Sequence, residues 1–510
     1  MHMKKAVILF FFIVFAAGQI RAQTPSLKVH YAISFDSAAK NKMHVNMMME
    51  GAKPGELTFK MPQWMPGYYQ IMNYANNVSD LVIKDEKNKI IPYKNSSVNS
   101  WTFKNSSKKI IISYNIKATK KFVANNYVDT SRAYIIPCAT FLYPENNLQL
   151  ETTVQILLAK NWSNIATGLS LLSATTHTYK ASNYDMLFDS PILIGNLEEL
   201  QPFYINGIQH RFIGYNLGNF NKEKFIQDLS KVVKAGIDIV GDIPYKDYTF
   251  IGIGPGRGGI EHLNNSTVSF HGKGLETEGG LNKTMSFLAH EFFHNYNVKR
   301  IRPFELGPFN YDAGSKTNLL WVSEGLSVYY EYLMVKRAGI MTEKALLESF
   351  DRNITTFENG PGKYHQSLTQ SSYFTWQDGP FGTAGPDKNK SISYYEKGPV
   401  VGLLLDFAIR HKTNNQKSLD DVMRLVYREY YQTKNRGFTD AEFQMACEQI
   451  AGTSLNEVFE YVYTAKPLDY ATYLGYGGLS LKVSDDKKYY LVPLSNMDTL
   501  QSVIYDSWLH

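Results

Sequence analysis

The pentapeptide His290-Glu291-Phe292-Phe293-His294 constrains this chain more than any other feature of it. It lies in a run from Asn282 to Val298 with helical periodicity, and on a helix two residues four apart share one face, about a turn from each other. Both imidazoles can then reach one point in space, with Glu291 beside them. Zinc suits such a site, and a glutamate next to it can take a proton from water. A five-residue pattern with three fixed positions also arises by chance, and two histidines packed on an amphipathic helix would leave the same trace. The surrounding chain has to decide between them.

A catalytic zinc takes three protein ligands and keeps one position for water. Downstream, Trp321-Val322-Ser323-Glu324-Gly325 opens a second helical segment that reaches about Ala338, and Glu324 at its start can pack toward the two histidines. A carboxylate there also has a purely structural use, because negative charge is favoured at the positive end of a helix. No third histidine follows at a His-x-x-Gly-x-x-His spacing, which counts against the metzincin arrangement.

Around these elements the chain divides. From Ser26 to about Arg211 short β-branched or aromatic runs alternate with Asn, Gly and Pro, the pattern of an antiparallel β-sandwich. Its loop Met61–Tyr69 is rich in Pro and aromatics and reads as a packed turn or as a binding surface, the turn being the commoner case. Near Asn219 a mixed domain begins, with a helix from Asn221, its plausible N-cap, to Val240. A strand at Tyr248–Ile253 runs into Gly254-Pro255-Gly256-Arg257-Gly258-Gly259-Ile260-Glu261-His262. No Lys-Ser/Thr follows these glycines and no helix opens on them, so a strand edge that admits another backbone is a better reading than a phosphate loop. Another strand is expected at Ser266–His271. Pro303 is expected to close the helix that holds the pentapeptide, and Lys299, Arg300 and Arg302 to pair with carboxylates. His262 and His271 read as structural. Helices dominate from Met341 to Thr464 around a long loop, Tyr364–Lys390, and the tail from Asp469 returns to β-like runs.

With 510 residues, 44% of them hydrophobic, the chain can bury a large core in more than one domain. Its net charge is only +6, with no Lys/Arg block, so nucleic acid is not expected as a partner. Met1–Lys5 is basic, Ala6–Gly18 apolar, and Ile20-Arg21-Ala22 ends on a small residue, the pattern of a secretory signal peptide cleaved after Ala22. The apolar run falls short of the roughly 20 residues that span a bilayer, so an exported protein with no membrane segment in its mature form is expected, periplasmic or secreted. Cys138 and Cys447 read as buried thiols rather than a disulfide.

Taken together, HEFFHNYNVKRIRP, WVSEG, Gly258-Gly259-Ile260-Glu261-His262 (a GGxEH element), Tyr395-Glu396-Lys397-Gly398 (YxKG), Asp189-Ser190-Pro191 and Pro66-Gly67-Tyr68-Tyr69 resemble the glycyl aminopeptidase family of the gluzincin clan. The match runs in order from about Val29 to Leu474. The resemblance implies an α+β multidomain protein: a β-sandwich-like N-terminal domain (23–215), a thermolysin-like, mainly helical zinc peptidase domain (216–468) and a short C-terminal β segment (469–510). It further implies zinc on His290, His294 and Glu324, Glu291 as general base, and Tyr395 as hydrogen-bond donor to the oxyanion. Glu261 would anchor the substrate amino terminus and Gly258 and Gly259 would admit its backbone. Substrates would be peptides with a free N-terminus and a small first residue, Gly or Ala. Tyr296 stands where the family commonly has Trp, and Gln70, Met72, Asn73 and Asn76 where it often has charge. The family usually ends in a PDZ domain, of which the tail is expected to be a partial or vestigial form. An endopeptidase with the same metal, or a non-catalytic protein that binds peptides in the same cleft, are the other readings.

Overall fold

Alternating burial along Lys28–Ser34, Lys42–Glu50 and Lys109–Lys117 puts every second side chain into one core, the period expected of strands with one covered face. The computed structural model describes residues 27–36 and 38–510, so the expected signal peptide lies outside the described residues. These strands belong to a seven-stranded sheet that shares the N-terminal core with two four-stranded sheets. The sheet is not wholly antiparallel. Lys28–Ser34 pairs in parallel with Thr152–Ile156, which is possible because a long excursion of the chain separates them.

A fourth sheet begins earlier than the expected boundary at 215. Ile208–Gly214, Asp247–Gly252 and Asn265–Val268 run parallel, side by side, and Glu198–Glu199 and Phe203–Ile205 pair with the first of them. The strands from 198 to 214 are therefore built into the sheet of the C-terminal half, and the sandwich ends before them. The connection between the first two parallel strands carries the helix Lys222–Val240, whose N-cap Asn221 accepts from Lys224 N–H. Gly259–Glu261 pairs antiparallel with Asn265–Val268 and forms the edge of this sheet, as a glycine-rich strand edge should.

The HExxH helix spans Glu278–Phe293. It starts before Asn282 because Thr277 caps it, its Oγ1 accepting from Gly280 N–H, and it stops well short of Pro303. His294 is its C-cap, and the chain from there to Ile301 is a buried, non-helical segment. Two short helices, Leu368–Tyr373 and Thr375–Asp378, interrupt the expected loop Tyr364–Lys390. Cys138 and Cys447 are both buried free thiols.

The tail is not a PDZ-like module. It forms the helix Tyr470–Tyr476, a hairpin of Leu479–Val483 and Tyr489–Pro493, and the helix Thr499–Leu509. An isolated hairpin is marginal in water, and this one lies on the helix Glu343–Asn359, with Leu491 N–H donating to Asp351 Oδ1 at 2.7 Å. Trp508 is fully buried in the larger, C-terminal core and donates to Tyr329 OH at 3.2 Å. Among the described residues no helix is long and apolar enough to cross a membrane.

Candidate metal centre and peptide cleft

His290 and His294 face each other with their Nε2 atoms 2.9 Å apart, and Glu324 Oε2 lies 3.5 Å from the first and 3.3 Å from the second. The other ring nitrogens are both engaged. His294 Nδ1 is 2.7 Å from the carbonyl oxygen of Asn297, which can only accept, so this nitrogen carries the proton. His290 Nδ1 lies 2.8 Å from the carboxylate of Glu331, an ion-pair distance whose angle makes no hydrogen bond. Two imidazole lone pairs and a carboxylate oxygen therefore converge in a buried space. A cation can satisfy all three acceptors at once, and two nitrogens with one oxygen is a donor set that fits zinc.

Local sequence explains how Glu324 gets there. Trp321–Gly325 forms a single π-helical turn before the helix Leu326–Arg337, and such turns re-aim side chains at functional sites. The buried Asn297 donates to the carbonyls of Val322 (2.7 Å) and Ser323 (3.1 Å), which ties the irregular turn to the segment after His294. Gly325 meets Gly398 of the helix Tyr394–Lys412 so closely that a Cβ on Gly325 would stand 2.7 Å from the Gly398 Cα. That approach lets Tyr395 reach across, and its hydroxyl donates to Glu324 Oε2 at 2.8 Å. Pro399 has no N–H, so the helical bond to the Tyr395 carbonyl is missing, and Asn353 Nδ2 donates to that oxygen at 3.3 Å.

Glu291 is buried and has one carboxylate oxygen without a hydrogen-bond partner among the described residues. Burial pushes its carboxyl up to about 8 against the pull of both imidazoles, and Glu261 and Glu324 add to the rise. Gly259 lies directly against it: a Cβ there would be 2.1 Å from Glu291 Oε1. Glu261 is also buried, with Oε1 unpartnered by any hydrogen bond and Lys299 Nζ 3.9 Å away. Gly67 approaches it from the N-terminal β unit at φ +91°, where a Cβ would meet Glu261 Oε2 at 2.8 Å. Gly258, at φ +82°, turns the chain into the edge strand against Val123.

Two family models match the chain in order. They are the peptidase M61 N-terminal domain over residues 30–196 and the M61 glycyl aminopeptidase domain over residues 283–401, together more than half of its length. The chain belongs to the M61 glycyl aminopeptidase family. Among solved structures, that of an aminopeptidase N family protein from Idiomarina loihiensis aligns over 90% of this chain and 80% of its own, with a TM-score of 0.83 at 24% identity. The M1 zinc metallopeptidase of Deinococcus radiodurans aligns over 87% and 95%, with a TM-score of 0.51 at 10% identity. Aminopeptidase A of Legionella pneumophila, solved with aspartic acid, covers 91% of this chain and is covered over 51% of its own, with a TM-score of 0.53 at 12% identity. At these identities the likeness is one of fold, that of the gluzincin aminopeptidases. No curated protein sequence matches the chain.

In this M61 peptidase the structure brings His290, His294, Glu324, Glu291, Tyr395, Gly259 and Glu261 together, adds Glu331 from outside the motifs, and places Tyr69, Asp189 and Lys299 of the motifs beside them. Glu331 is the partner of His290; it lies two turns after Glu324 on one helix face, a spacing visible in the sequence once Glu324 is taken as a ligand. Tyr69, from the loop that reads mainly as a packed turn, lies beside the metal cluster. Burial, then the charges of Glu324 and Glu261, push its phenol well above the usual range. The loop is packed as well: Trp64 Nε1 donates to the Asn310 carbonyl and Gln70 Nε2 to that of Thr375. Asp189 and Lys299 complete the set, 2.8 Å apart behind Glu261. Burial alone would raise the Asp189 carboxyl, but Lys299 and His262 hold it down at about 2. Arg300 and Arg302 depart from expectation: among the described residues neither pairs with a carboxylate, and Arg300 donates to the carbonyls of Asn295, Pro244 and Leu263.

Proposed function

We propose that this M61 peptidase removes a small N-terminal residue, glycine or alanine, from peptides with a free amino terminus, with Glu291 as general base. His290, His294 and Glu324 hold zinc in this reading, and zinc supplies Lewis acidity toward the scissile carbonyl and lowers the pKa of a water. Glu291 accepts the proton of the attacking water and passes it to the leaving amine. Tyr395 OH, held over Glu324, donates to the oxyanion that develops on the former carbonyl. Glu261 receives the substrate ammonium through charge-assisted hydrogen bonds, which sets the cleaved bond one residue from the terminus. The edge strand Gly259–Glu261 offers backbone groups to an extended substrate.

The observation that favours an aminopeptidase over an endopeptidase is Glu261 itself, a buried carboxylate with a free oxygen beside the catalytic glutamate. Gly67 against Glu261, with Tyr69 next to it, leaves little room beyond the first residue and supports a small side chain there. The basic start and short apolar run support export. Metal analysis with a panel of aminoacyl-anilides tests the reading. Glu291→Gln is expected to retain zinc and lose at least about a hundredfold in kcat. Glu261→Ala is expected to lose turnover of Gly- and Ala-anilides with zinc intact. Cleavage of N-terminally blocked peptides at the same rate as free ones would overturn the aminopeptidase reading.

A further inference from the structure

The cleft does not end at the metal cluster. A cavity of about 760 Å³ opens on His290, Glu291 and Tyr395 between the HExxH helix and the helix Glu343–Asn359; Gly259 of the edge strand lines it and Glu261 does not. Cavities of this size take a single small-molecule ligand. Its walls are apolar, formed chiefly by Phe287, Val328, Tyr332, Met341 and Phe381. The last of these is 61% exposed and its ring lies 5.5 Å from that of Tyr395.

The rim is different. Ala345, Glu348, Ser349 and Arg352 share one face of the helix Glu343–Asn359 at helical spacing, and Lys283 stands on the HExxH helix. Arg352 donates to Ser349 Oγ at 2.9 Å, and neither it nor Lys283 enters an ion pair among the described residues. Against burial, the Arg352 charge favours the ionised forms of Glu331, Asp351 and Glu396, but each acid makes its direct contact elsewhere. Glu348 pairs with Lys344 at 3.6 Å, Glu331 with His290, and Asp351 accepts from Leu491 N–H. Glu396 accepts from Asn353 Nδ2 at 2.8 Å. Two cations with no carboxylate at ion-pair distance among the described residues, at the edge of an apolar cavity, are suited to an anion on an apolar ligand, and a guanidinium matches a carboxylate in two parallel hydrogen bonds.

We infer that this cavity is the subsite of the leaving residue, built for a large apolar side chain carrying its own free carboxylate, and that Arg352 receives that carboxylate. The favoured substrates are then dipeptides with a small first and a large apolar second residue. The inference rests on the aminopeptidase reading, because only then does the leaving group lie on the side of the metal away from Glu261.

Ala-Phe, Ala-Gly and Ala-Phe-NH2 separate the two ideas. The zinc-loaded enzyme is expected to prefer Ala-Phe over each of the others by about tenfold in kcat/KM, the scale of discrimination that a pocket or one charged contact provides. In Arg352→Gln the preference for the acid over the amide falls to within about twofold. Calorimetry on the Glu291→Gln protein gives a readout without turnover, in which Ala-Phe binds about tenfold tighter than its amide. Equal cleavage and equal binding of acid and amide, or a preference that survives in Arg352→Gln, overturns the subsite and leaves the peptidase reading standing. Tighter binding of the acid with no cleavage of any of the three retains the subsite and overturns the peptidase reading.

Discussion

Gly259 matters through the side chain it lacks. A Cβ at this position would stand 2.1 Å from Glu291 Oε1, so the carboxylate would have to swing out of its place. Gly259→Ala is expected to lower kcat at least about tenfold while zinc and fold are retained, because small misplacements of a reacting group are costly. Steady-state kinetics with metal analysis checks it. Tyr395→Phe removes one hydrogen-bond donor, and a loss of about a hundredfold or more in kcat with little change in KM is expected. An unaltered kcat would assign Tyr395 to holding Glu324 alone.

At the scale of elements, the metal centre depends on how two helices and one irregular turn meet. Glu331 holds His290 from behind, and outer partners of this kind orient the ring and raise its basicity. Glu331→Gln is expected to weaken zinc binding about 10- to 100-fold, read by chelator competition. The contact of Gly325 with Gly398 is equally strict. Gly325→Ala inserts a methyl group where backbone meets backbone and is expected to destabilise the protein by about 1–3 kcal/mol in urea unfolding. It also moves Tyr395 away from Glu324, so that kcat falls together with stability.

For the whole molecule, the site is shared between the N-terminal β unit and the catalytic half. Gly67 and Tyr69 come from one and Glu261 and Glu324 from the other, and Asp189 of the β unit holds Lys299 behind the site. Buried charges make this arrangement sensitive to acid. Lys299 and His262 hold Asp189 at about 2, so its contribution is complete above its unfolded pKa near 4 and is lost as pH falls toward 2. Burial pushes His210 down to about 4, with Nδ1 facing the Ile208 carbonyl at 3.1 Å and Nε2 facing Tyr245 OH at 2.9 Å. The unfolded chain binds this proton first, so stability is lost as pH falls from about 6.5 to 4, by about 3 kcal/mol. Urea unfolding followed from pH 7 to 4 is expected to show this decline, and His210→Gln to flatten it. A decline unchanged in the variant would assign it to other groups.

Much of this protein was legible in its residues, because the chemistry is carried by short patterns tied to helix and strand periods. The spacing of His290 and His294, the capped helix at Asn221, the glycine-rich edge strand and the mainly helical second half all follow from local rules. The end of the HExxH helix at Phe293, the parallel strand pair in the first sheet and the tail packed into the catalytic core do not, because long-range partners decide them. Sequence by itself determined which groups could bind a metal and move a proton, since ligand type and spacing are local. Only the tertiary structure decided that Tyr69, Glu331, Asp189 and Lys299 join them and that Gly259, Gly67, Gly325 and Gly398 must be bare. Those requirements arise from close approach between segments far apart in the chain, which no local pattern encodes.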